Sequence, residues 1–130
     1  MLKPENRLKK VRDFNLVIKH GRWVNADFLD LKYVELVKNK EFFPKKSDPT
    51  EFVQQLKVAF VVGVKISKSA VRRNRLKRQM REVVRLLIKD SALKQGCYLM
   101  ILAKKSALDR EYTEIEQEIQ CLLRKARIYV

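Results

Sequence analysis

The sequence predicts an α+β fold, a compact single-domain sandwich with its elements in the order α-β-β-β-α-β-α and a basic helix crossing between two parallel strands. Three observations carry this expectation. Residues 57–65, KVAFVVGVK, alternate with the two-residue period of a strand. Residues 97–104, CYLMILAK, form the short continuous apolar run of a buried strand. Between them, apolar residues recur at helical spacing from the serines at 67 and 69 to about Lys89, and strand, helix, strand points to a parallel pair. At 130 residues the chain is long enough for one domain that buries roughly two thirds of its unfolded surface.

Residues 7–21, RLKKVRDFNLVIKHG, place Val11, Phe14, Val17 and Ile18 at helical spacing without a clean N-cap, and Gly21 can take the left-handed conformation that ends a helix. By period alone Phe14 is a core residue. His20, the single histidine, reads as a solvated helix-end residue. Residues 22–25, RWVN, suit a short edge strand and residues 28–37, FLDLKYVELV, a longer one, with Asn25-Ala26-Asp27 connecting them. Residues 38–56 contain Pro44, Ser47, Asp48 and Pro49 without a sustained period, which predicts a long surface loop within the domain.

The strand at 57–65 has two faces. Val58, Phe60, Val62 and Val64 are expected in a core, while Lys57, Ala59, Val61, Gly63 and Lys65 make a shallow trough with a lysine at each end. That trough suits an extended phosphate backbone, or simply a solvated face. In the helix that follows, Leu76, Met80, Val83, Val84 and Leu87 fall on one stripe, and Asn74, Lys77, Arg78, Arg81 and Arg85 fall opposite. Ser67 or Ser69 can accept from its first free N–H groups. A last amphipathic helix carries Tyr112, Ile115, Ile119, Leu122, Leu123 and Ala126, with Asp109 and Glu111 at its start and Arg124, Lys125 and Arg127 at its end, charges that suit the helix dipole.

Charge sets the functional class. The formal net charge is +15, and no Asp or Glu stands between Lys57 and Arg81. A solubilising surface would scatter both signs, whereas so dense a cationic run concentrates phosphate, so residues 1–130 are expected to form a single RNA-binding domain. Cys97 and Cys121 lie among apolar neighbours and imply no disulfide framework. No leader-like stretch follows Met1, and no apolar run approaches the length of a membrane span, so a cytoplasmic protein without membrane contact is expected. Clustered carboxylates, a histidine pair, CxxC, a phosphate-cradling glycine loop and a serine elbow are all absent. Such a chain binds and does not itself catalyse: no catalytic or metal-ligating residue is assigned.

The segment SAVRRNRLKRQMRE resembles the signature of the bacterial ribonuclease P protein component, A-x-x-R-N-R-x-K-R-x-x-R-E. Arg73-Asn74-Arg75, Lys77-Arg78 and Arg81-Glu82 match it position by position. The N-terminal LKKVRDFNLVIKHG, the strand ending Ala103-Lys104-Lys105 and the closing Leu-Leu-Arg-Lys resemble the same family, so the likeness spans nearly all of the chain apart from residues 38–56. Membership implies an endoribonuclease acting as a ribonucleoprotein, one protein per RNA. In it a catalytic RNA subunit with Mg²⁺ removes the 5′ leader of precursor tRNA, the protein binding no metal tightly itself.

By that resemblance, Arg73, Asn74, Arg75, Lys77, Arg78 and Arg81 contact the RNA subunit, where phosphate contacts fix register without reading sequence, and Lys68 and Arg72 of the same cationic run are expected to join them. Phe14, Ile18, Lys57, Val61 and Lys65 line a cleft for the single-stranded leader, whose bases stack whatever their identity. Ile18 stands where many members have a second aromatic, Ala59 replaces a usual glycine, and Val64-Lys65 replaces a commoner Lys-Lys pair. A structural RNA-binding protein, such as a ribosomal protein, is the alternative that composition alone fits equally well.

Overall fold

The computed structural model describes residues 2–39, 41 and 52–129. Among them follow α1 (Val11–His20), β1 (Arg22–Asn25), β2 (Leu29–Glu35), a single turn α2 (Leu36–Asn39), β3 (Leu56–Val61), α3 (Ala70–Lys89), β4 (Cys97–Ala103) and α4 (Tyr112–Lys125). One sheet has the strand order β1-β2-β4-β3. Its first two pairings are antiparallel and β3 lies parallel to β4, the pair that α3 joins. The expected element order is therefore present, with α2 added.

Each face of the sheet has its own core. On one, Leu31 of β2, Val58 of β3 and Leu99 and Ile101 of β4 pack against α3 and α4. All five residues of the predicted α3 stripe, Leu76, Met80, Val83, Val84 and Leu87, are buried there. At roughly 1.5 to 3 kcal/mol per large apolar side chain, this stripe and not intrinsic propensity holds a helix so rich in arginine. Ser69 caps it, accepting from the Arg72 N–H at 3.3 Å. On the other face, Val17 of α1 packs with Leu8, Val34, Phe52, Tyr98 and Met100. The N-terminal segment then runs beside β3, where Leu8 N–H donates to the Val58 carbonyl at 3.0 Å and shields part of that edge.

Four local expectations are corrected. The strand expected to reach residue 37 stops at Glu35, because Leu36 turns into α2 and gives its N–H to the Gly96 carbonyl at 2.9 Å. The strand expected to reach Lys65 stops at Val61: Ile66 N–H closes a turn onto the Gly63 carbonyl at 3.0 Å, and Val64 is 65% exposed instead of core. Gly21 ends α1 in extended conformation, φ −70°, not left-handed. Glycine is needed there for space, since a Cβ would stand 2.4 Å from the Val17 carbonyl oxygen and 2.8 Å from Lys32 Cγ. His20 is half-buried, not solvated.

Of the stretch read as a surface loop, Lys38 and Asn39 belong to α2, Phe52 is buried and Leu56 opens β3, while residues 40 and 42–51 lie outside the described residues. Both cysteines are free. Burial pushes the Cys97 thiol up to about 11, which makes it an inert core residue. Among the described residues no helix is long and apolar enough to cross a membrane.

Candidate nucleic-acid interface

The face of α3 opposite its buried stripe carries the cations. Arg75, Lys77, Arg78 and Arg81 have no hydrogen bond or ion pair among the described residues, so their heads are uncommitted. Asn74, Lys77, Arg78 and Arg81 line a shallow hollow of about 360 Å³ with Val71. Two others are already engaged. Arg73 donates to the Ser67 carbonyl at 2.7 Å and so holds the turn that leads into the helix, and Arg72 pairs with Asp109 at 2.8 Å. Lys65 and Lys68 are exposed in that turn, adding charge at the positive end of the helix dipole. Arg85 is engaged by two bonds to Glu82, at 2.9 and 2.6 Å.

The second candidate region lies on the opposite face of the sheet. Phe14 is half-buried and packs against the same buried core as Ala59, Val61 and Leu102, with α1 itself seated on β2 and β4 and the trough of β3 to one side. Ile18, one turn further along α1, is 47% exposed. Lys57 shares this face, being level with Tyr98 and Val34. It also lines a groove of about 800 Å³ between the N-terminal segment, the start of β3 and the end of α3, with Lys3, Arg85 and Lys89. Lys65 is not part of the trough as a strand residue. It stands beyond the end of β3, between the cleft and the basic helix.

Supports that sequence reasoning missed surround this region. Lys32 is 9% exposed on the α1 face, and its Nζ donates to the Ile18 carbonyl. Its signal in the sequence was a lysine in the middle of an otherwise apolar strand. Lys104 donates to the Ala26 carbonyl at 2.8 Å and pairs with Asp30 at 3.4 Å. The Glu118 carboxylate of α4 accepts from the N–H groups of Phe28 and Leu29 at 2.5 and 3.0 Å. Together these bonds fix the β1–β2 connection and hence the position of the edge strand. Burial also raises the Tyr98 phenol, which donates to Gln55 at 2.7 Å beneath α1.

Among the described residues no three His, Cys, Asp or Glu gather in a way that could hold a metal ion. The arrangement is therefore a cationic helix face on one side of the sheet and, on the other, a partly buried apolar surface around Phe14, Ala59 and Val61, with the turn at Lys65 leading from β3 to the helix. It can hold a polyanion on one side and stack bases on the other.

The Ribonuclease P family model matches residues 2–127. A ribonuclease P protein component from a Synechococcus strain is 33% identical over 130 residues, covering 100% of this chain and 88% of its own length. One from Clostridium botulinum is 34% identical over 111 residues, 76% of this chain and 99% of its own. Among solved structures, an RNase P protein from Staphylococcus aureus superposes with a TM-score of 0.69 at 21% identity, covering 96% of this chain and 98% of that one. The RNase P protein from Thermotoga maritima does so with a TM-score of 0.69 at 20% identity, covering 92% and 96%.

Proposed function

The chain belongs to the ribonuclease P protein family, and from that premise we propose how it serves the holoenzyme: α3 anchors the catalytic RNA subunit while the α1–sheet cleft holds the single-stranded 5′ leader of precursor tRNA. The observation that carries this reading is the set of uncommitted cations on α3, Arg75, Lys77, Arg78 and Arg81, facing away from a fully buried stripe. Charge held out in this way binds phosphate without choosing sequence. Phe14 supplies a face for a base, Lys57 and Lys65 neutralise the strand that carries it, and Val61 forms an apolar floor. A ribosomal protein would account equally for the charge, and family membership separates the two.

Mg²⁺ belongs to the RNA subunit in this reading. The protein acts in the cytoplasm, one copy per RNA, by positioning substrate. Alone it is inert on precursor tRNA, and with the cognate RNA subunit it stimulates cleavage most at low Mg²⁺, where phosphate repulsion is least screened by the metal. Cleavage assays with the protein stripped of RNA, with and without the RNA subunit, test this. Robust Mg²⁺-dependent cleavage by the protein alone would overturn it.

A further inference from the structure

Trp23 is the only tryptophan of the chain, and it stands 52% exposed on the edge strand β1. Single exposed apolar residues are ordinary. This one, however, is held by a built arrangement. Its register partner is the buried Lys32, whose Nζ lies 4.8 Å from the centre of the indole ring and donates to the Ile18 carbonyl. A cation suits both partners, the negative end of α1 and the electron-rich face of the ring. The missing side chain at Gly21 leaves the space that Lys32 fills. With one face of the indole occupied by the ammonium, the exposed surface belongs to its other face and its edge.

Strand register connects this corner to the cleft. Trp23 is opposite Lys32, Lys32 opposite Met100, and Met100 opposite Ala59, so all four side chains share the α1 face in one row across the sheet. In the neighbouring row Asn25, Asp30, Leu102 and Val61 do the same. Three strand spacings of about 4.8 Å put β1 roughly 14 Å from β3, the length of a few extended nucleotides. Ile18 lies between, about 6 Å along α1 from Phe14. Lys32 and Met100 are buried, so the first row is closed, but Val61, Leu102 and Asp30 are only partly buried and Asn25 is exposed, and a strand crossing along this second row beside α1 arrives next to Trp23.

We propose that Trp23 is a second base-stacking platform, a distal subsite that takes a nucleobase of the single-stranded leader after it has crossed the sheet. The inference rests on the reading of the α1–sheet cleft as the leader site, and it extends that site to a residue and a strand the cleft does not include. It also gives this chain an aromatic surface where Ile18 offers none. Lys32 orients the ring and leaves its own charge near the backbone of the bound strand.

The lone indole makes the test direct, because RNA contributes no tryptophan emission. Holoenzyme reconstituted with the cognate RNA subunit is titrated with precursor tRNA whose leader is shortened stepwise from about eight nucleotides to one. Indole emission, excited beyond the tyrosine band, is quenched by the long leaders and recovers with the shortest. Trp23→Ala lowers the ratio of affinities for long over short leaders by about 5-fold to 150-fold, and Trp23→Phe keeps most of it. Quenching by the RNA subunit before substrate is added, or equal quenching by all leaders, overturns the subsite. Unquenched emission with a leader-length dependence that Phe14→Ala still abolishes also overturns it, while leaving the cleft reading intact. If leader length and Phe14→Ala are both without effect, the cleft reading itself fails.

Discussion

The basic face of α3 and the cleft beneath α1 are built in opposite ways. The first is a single stretch of chain in which the apolar stripe fixes the helix and every remaining position is free to carry charge. The second is assembled from α1, β2, β4 and β3, with β1 at its margin, and its floor exists only because strands distant in sequence come into register. Contiguity produces a field that acts at range and tolerates the loss of any one member. Assembly produces a shape, which acts by contact and depends on each wall. The α3 face should therefore fail gradually and in a salt-dependent way, whereas the cleft should fail one residue at a time.

The largest effect expected is on the charged side. Replacing Arg75, Arg78 and Arg81 together by Ala removes three uncommitted cations without touching the buried stripe. Affinity for the RNA subunit should fall roughly a hundredfold or more, and the log–log salt slope should flatten by about 2 to 3, or 0.7 to 0.9 per contact. Circular dichroism and Tm should stay near those of the parent, since the substitutions lie on exposed or half-exposed positions of a good helix former. A slope that does not change would mean that these side chains are only solvated.

Next in size is the cleft. Phe14→Ala should cost about 5-fold to 150-fold in affinity for precursor tRNA with a leader, with little change for the RNA subunit. Phe14 is half-buried against the α1-side core, so its truncation should cost roughly 1 to 2 kcal/mol of stability, less than the 3 to 5 typical of a fully packed Phe. If the variant instead unfolds much earlier and weakens all substrates alike, Phe14 is a core residue and the contrast between the two regions disappears.

The same contrast explains what could be read from the sequence. The α3 stripe was legible, and its cap narrowed to Ser67 or Ser69, because a helix writes its period in consecutive residues, and the two faces of β3 were legible up to Val61 for the same reason. Val64 and Lys65 continue the strand alternation in letters, but Gly63 lets the chain turn into α3, so the pattern outlasts the element. Leu36 and Val37 look like strand and become α2 because Leu36 is claimed by the Gly96 carbonyl, a partner sixty residues away in sequence. Gly96 can serve there because it takes a left-handed φ of +85°. Gly21 was noticed as a helix terminator, yet what demands it is space, taken by the Val17 carbonyl one turn back and, from β2, by Lys32. The candidate residues on α3 came from charge and spacing, those of the cleft chiefly from resemblance, and the Trp23–Lys32 pair from neither, because only register reveals it.

The smallest effect concerns one ion pair in each supporting helix. On α3, hydrogen bonds from Arg85 hold the Glu82 carboxyl below the ordinary value of 4.5. On α4, Arg110 does the same to Glu114, helped by the Glu111 N–H, and the same Arg110 stacks 4.5 Å from the Phe28 ring at the β1–β2 connection. A carboxyl whose folded pKa is depressed stabilises the fold fully above its unfolded pKa and loses that contribution as pH falls through the folded value. The window for both groups therefore opens near 4.5 and extends below it, leaving Tm insensitive to these two glutamates between pH 5 and 8. Since both pairs are solvent-exposed, Glu82→Gln and Glu114→Gln should each lower Tm by only about a degree or two at pH 7. That gap should narrow as the pH falls below 4.5 and close once the parent carboxyls are themselves protonated, below their lowered folded values. Glu82→Gln should in addition bind the RNA subunit no more weakly than the parent, because it removes an anion beside α3 and releases Arg85. A Tm gap that persists in acid would assign these side chains a packing role, and weaker RNA-subunit binding by Glu82→Gln would show that Arg85 must stay paired with Glu82 for the cationic face to work.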